Sequence, residues 1–208
     1  MGVSAGGQQG VSLGAGGEAG AVYKDVSKRD PSGETHHMAR DIVIWPNKVL
    51  STPTKPVTDF GESLTRLLDE MFEAMKEAEG IGIAANQIGV PLRLSWVGRE
   101  DGTFFEIINP QILEKSGPVT LEEGCLSVPD LFEKTPRFHK VKVKYQDRTG
   151  AWHELEAEGK LAHVLQHEIG HLDGFVFVDL LSGLKRGLAM EKMKKLQKAL
   201  KRRKNEDE

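Results

Sequence analysis

The stretch "QHEIGHLDG" (166–174) carries the residue types best suited to chemistry. His167 and His171 are four apart, so a helix stacks them on one face, where two imidazoles can reach one cation. Glu168 lies one position round that helix, close to whatever water the cation holds. The plain alternative is a polar helix face with two incidental histidines. It fits poorly, because "LAHVLQHEIGHL" is too apolar for a solvated face, and an HExxH run arises by chance in about one chain in a hundred of this length. Two ligands do not complete a site, however.

Candidates for the third ligand can be ranked by geometry. His163 shares the helix face but stands eight residues from His171, about 12 Å along the axis, too far for both to hold one ion at ~2.0–2.1 Å. It reads as a wall of the site or a hydrogen-bonded core histidine. His139 and His153 fall in strand-like stretches with no ligand pattern. The longer pattern HExxHxxGxxH is met through Gly174 and then fails, since Phe177 stands where a histidine is needed. Glu191 could serve in a thermolysin-like layout, although "LAMEKMKK" looks like a surface helix. Cys125, in "EEGCLSVP", is the stronger candidate. A lone cysteine is more often a small buried hydrophobe, but Gly124 lets the backbone come close here. A thiolate with two imidazoles leaves one tetrahedral position open for water, which is the catalytic arrangement. A metallopeptidase using Glu191 and a non-catalytic binding module stay open as alternatives, the second opposed by Glu168, for which a mere binding site has no use.

These side chains need a scaffold, and 208 residues suffice for one domain with a real core plus extensions. Residues 1–20 contain eight glycines and almost no large apolar side chain. They lack the basic start and apolar stretch of a secretory signal, and Gly6 breaks the myristoylation pattern. Residues 1–37 are therefore expected to form a disordered tail, 38–183 the catalytic domain and 184–208 a basic C-terminal helix and tail. One cysteine excludes an internal disulfide and fits a reducing, cytoplasmic setting. No apolar run approaches the ~20 residues that span a bilayer, and a net charge of −3 gives no reason to invoke DNA.

Residues 62–79 form an amphipathic helix in which Leu64, Leu67, Leu68, Met71, Phe72 and Met75 keep the i, i+3, i+4 spacing of a core stripe. Between 91 and 158 the pattern changes to short strands ("LRLSWV", "FFEII", "VKVKYQ", "HELEAE"), the last two joined by the turn "DRTG". Helices are expected again over 160–172 and 184–204. Strands grouped between helices indicate an α+β fold, with short antiparallel sheets around a central HExxH helix.

Three motifs in order now resemble the peptide deformylase family: "GIGIAANQ" (80–87), "EGCLS" (123–127) and "QHEIGHLDG". The likeness runs from about residue 38 to 182, and the short spacing with a trailing helix resembles the bacterial-type branch. The resemblance implies that Cys125, His167 and His171 hold one divalent metal, ferrous iron foremost, with zinc or nickel as substitutes. It implies Glu168 as the proton carrier and the Gln87 amide with the Leu126 backbone N–H as the oxyanion site. Gly82 would pair with the substrate backbone, while Ile81, Glu123, His163 and Val164 would wall a methionine pocket. The implied reaction removes the formyl group from N-formylmethionyl peptides and releases formate, with transient ribosome docking through the C-terminal helix. One departure stands out: Gly170 replaces the family's usual Asp. Helical glycine costs ~1 kcal/mol, and the loss of a polar partner, with Arg137 as candidate, is expected.

Overall fold

A computed structural model of the protein describes residues 40–206, so the tail expected over 1–37 lies outside the described residues. The anticipated stripe makes helix α1, Glu62–Glu77, whose Leu64, Leu68, Met71 and Met75 are buried against Ile83 and Trp96. Leu67 and Phe72 pack at its edge. A five-stranded antiparallel sheet follows in sequential order: β1 Gly82–Ala84, β2 Leu94–Gly98, β3 Phe104–Cys125, β4 Val128–Gln146 and β5 Trp152–Glu158. Helix α2, Gly159–Leu172, carries the HExxH motif, and α3, Gly183–Glu206, ends the described chain.

The strands differ from the expected short ones. β3 and β4 are 22 and 19 residues long and form one ribbon that folds back at Leu126–Ser127. Much of "LEKSGPVTLE" is exposed, so the alternation that betrays a half-buried strand is missing there. β3 pairs first with β2 and further along with β4, which makes the sheet continuous.

α2 is the centre of the molecule. Its Val164, Leu165 and Ile169 join Val97, Phe105, Ile107 and Val143 from the sheet. Its end is held by a close approach: Gly174 adopts φ +84°, and a Cβ there would lie 2.7 Å from Pro53 N and 2.8 Å from the Thr52 carbonyl carbon. Left-handed backbone plus a backbone overlap predicts that Gly174→Ala costs about 2 kcal/mol or more in denaturant unfolding. A loss below ~0.5 kcal/mol would show that the 52–53 segment yields freely.

Candidate active site

The motif helix is fixed in register by Gln166. Its carboxamide accepts from Phe138 N–H at 2.9 Å and donates to Phe138 O at 2.7 Å and Ala162 O at 2.9 Å, stapling α2 to β4. From the next turns, His167 and His171 point together with their Nε2 atoms 3.3 Å apart. Cys125 arrives at the end of β3, where the ribbon turns, and its Sγ lies 3.1 Å from His171 Nε2. Among the described residues, these three form the cluster able to hold a metal, all donor atoms lying within 4.8 Å of one another. Glu191 takes no part; it lies exposed on α3, facing away from the buried Ala189 and Met193.

The donors fit an ion. A tetrahedral centre with ~2.05 Å bonds to nitrogen and ~2.3 Å to sulfur keeps two nitrogens about 3.3 Å apart, and nitrogen and sulfur about 3.6 Å apart. The imidazoles already stand at that spacing, and the sulfur lies within about half an ångström of its own spacing from His171.

Behind the three donors, Glu123 is the hub of a hydrogen-bond network. Its carboxylate accepts from Arg137 Nε at 3.0 Å and Nη2 at 2.9 Å, from the Thr135 hydroxyl, and from His167 Nδ1 at 2.7 Å. Burial alone would raise this carboxyl, but His163, His167 and Arg137 beside it hold it well below the usual carboxylate range. A permanent anion on Nδ1 turns the His167 Nε2 lone pair toward the cluster. Phe177, the residue that breaks the longer histidine pattern, stacks on the His167 ring with centroids 6.4 Å apart. Asn86 donates to His171 O at 2.6 Å and pins the backbone there.

Glu168 is 3% exposed and receives the Ser95 hydroxyl at 3.2 Å. Burial pushes its carboxyl up to about 8, the Ser95 hydrogen bond opposing and the charge of Glu123 adding. Gly82 makes room for it, since a Cβ at that position would lie 2.9 Å from the Glu168 carboxyl carbon. Gln87 is anchored by Ala84 N–H donating to its Oε1 at 2.8 Å, which aims Nε2 at Ser127 Oγ, 3.2 Å away, and at Cys125 Sγ, 3.5 Å away. A cavity of about 1120 Å³ opens onto these groups, with Ile81, Gly82, Leu126, His163 and Val164 in its wall. His163 Nε2 comes within 3.3 Å of Glu123 Oε2, and the residue also lines the cavity.

The structure corrects the expectation for Gly170. Arg137 has its partner in Glu123, and the space beside Gly170 is filled by Phe175, whose ring atoms would stand 2.9 Å from a Cβ there. An apolar ring thus occupies the volume of the missing side chain. Three contributors escaped the sequence reading: Ser95, Gln166 and Thr135. The first could have been flagged as the lone hydroxyl in the apolar run "LSWV".

Burial, with the charges of Glu168 and Glu123 adding, raises the Cys125 thiol far above its ordinary value, against the hydrogen bonds from Ser127. Burial and the neighbouring His167 and Arg137 lower His171, so it is already neutral as a ligand. Loading must therefore expel the thiol proton. Zn2+ affinity is expected to fall ~tenfold per pH unit of acidification, and calorimetry in buffers of different ionisation enthalpy should read at least one proton released per ion. Uptake without proton release would mean that the thiol does not bind as thiolate.

Known proteins resemble this chain in sequence and fold. The family model described as polypeptide deformylase matches residues 39–187. The peptide deformylase of Acidobacterium capsulatum is 46% identical over 169 residues, covering 78% of this chain and 98% of that protein. That of Aquifex aeolicus is 46% identical over 169 residues, covering 79% and 100%. A crystal structure of a peptide deformylase from Legionella pneumophila superposes with a TM-score of 0.73 at 44% identity, over 78% of this chain and 98% of that one. On family model, identity and fold together, this chain belongs to the peptide deformylase family.

Proposed function

We propose that the cavity on α2 is where this chain carries out its family's reaction, hydrolysis of the N-formyl group of formylmethionyl peptides to formate and a free amino terminus. The observation that carries the reading is the convergence of Cys125 Sγ, His167 Nε2 and His171 Nε2 beside buried Glu168. The three donors would hold a divalent ion; thiolate with imidazole suits both iron and zinc, and the family likeness puts Fe2+ first, with Zn2+ or Ni2+ as substitutes. When bound, such an ion makes hydroxide available near neutral pH and polarises the formyl oxygen.

The chain's own residues supply the remainder. Glu168 takes a proton from the attacking water and returns it to the departing amine. Gln87 Nε2, held by the Ala84 contact, and the Leu126 N–H donate to the developing oxyanion. The bare Gly82 backbone pairs with the substrate main chain, and Ile81, His163 and Val164 receive the methionine side chain. Glu123, with both oxygens engaged, acts by orienting His167. The test offers the metal-loaded protein formyl-Met-Ala-Ser, its acetyl counterpart and an unblocked peptide with several internal bonds. Formate from the first alone is expected; internal cleavage without formate would make it a peptidase.

Ribosome docking is read from α3. Lys194, Lys195, Lys198 and Lys201 are exposed, while Ala189 and Met193 pack against Trp45 and Phe177. Deleting the helix would uncover that core, so charge reversal is the cleaner probe. Changing the four lysines to glutamate should weaken ribosome binding ~tenfold or more at low salt, with short-peptide turnover kept within about twofold. Unchanged binding would remove α3 from that role. Among the described residues, no helix is long and apolar enough to cross a membrane.

A further inference from the structure

Phe132 is the most exposed aromatic among the described residues, at 69%, yet it is not loose on the surface. It lies on β4 across from the end of β3, where Glu123 pairs with Glu133 and Cys125 with Val128 around a register shift. One side of its ring rests on Gly124: a Cβ there would stand 2.6 and 2.8 Å from two of its ring carbons. Only a residue without a side chain lets the ring settle this close to the ligand strand. The other side faces outward, and the ring lines the same cavity as Gly82, Leu126 and His167, together with the half-exposed Ile81.

Resting on the deformylase reading, we propose that Phe132 is a specificity-determining platform for the side chain of the residue directly after the formylmethionine, favouring large apolar residues there. Reach supports the position. With the formyl carbon at the cluster, the next residue's Cα lies one methionine further, and successive Cα atoms are ~3.8 Å apart. Gly124, which carries the ring, is likewise one residue from ligand Cys125. Exposed apolar surface continuous with a substrate cavity gains by being covered when an apolar side chain leaves water.

The experiment measures kcat/KM for formate release by the full-length, metal-loaded chain on formyl-Met-X-Ser, with X as glycine, aspartate, leucine and phenylalanine. Leucine and phenylalanine should exceed glycine roughly fivefold, below the tenfold or more that an enclosed pocket gives per methylene, because the platform is open on one side. Phe132→Ser should bring the ratio close to one, and Phe132→Leu should retain most of it. An even response to X in the unaltered chain, a preference unchanged by Phe132→Ser, or one of equal size that follows the third residue instead would overturn the assignment. Failure to release formate from any of the four would overturn the deformylase reading and this one with it.

Discussion

Glu168→Gln is expected to lower kcat about 10³-fold or more while the protein still binds one metal ion per chain. The carboxylate sits beside the proposed ligands without being one: it is buried, bonded to Ser95, and absent from the Cys125–His167–His171 cluster. Glutamine keeps the shape and can still accept from Ser95, so the fold should hold. What it cannot do is carry a proton between water and amine, a task worth about 10²–10⁴ in rate. The burial that raises its carboxyl to about 8 is also what keeps competing water from it. Formate release and metal content, measured on the same preparation, decide the matter. A parallel loss of metal and activity would make Glu168 a structural support, and near-normal turnover would send the search for the base elsewhere.

The second large effect is loss of the ion from Cys125→Ala. A four-ligand zinc site is worth roughly 10–16 kcal/mol, or about 3–4 kcal/mol per ligand, so affinity should drop on the order of 10²- to 10³-fold. Turnover at submicromolar metal should vanish with it. Because Cys125 ends one long strand just before the turn into the other, alanine removes the sulfur with little change in packing. Glu191→Ala is the control, and it should leave affinity unchanged. The reverse pattern, tight metal in Cys125→Ala and loss in Glu191→Ala, would restore the thermolysin-like layout.

The contrast between these two residues marks what could be read before folding. His167, Glu168 and His171 were legible because helix periodicity alone sets their relation, and the α1 stripe was legible for the same reason. Cys125 could be ranked above Glu191 by residue type and neighbours, and three ordered motifs pointed to the family. That its sulfur meets a nitrogen 46 positions away was decided by the β3–β4 ribbon, whose length was concealed by the lack of alternation in its exposed stretch. The same pairing, with Glu133 opposite Glu123, sets Thr135 and Arg137 on one face of the ribbon with Glu123, and so makes a residue that lines the cavity also the anchor of His167. Phe175 beside Gly170, Ser95 against Glu168 and Phe132 on Gly124 belong to this second kind. Local periodicity is written in neighbouring residues, whereas contacts between distant segments depend on strand register and bulges, which neighbouring residues do not encode.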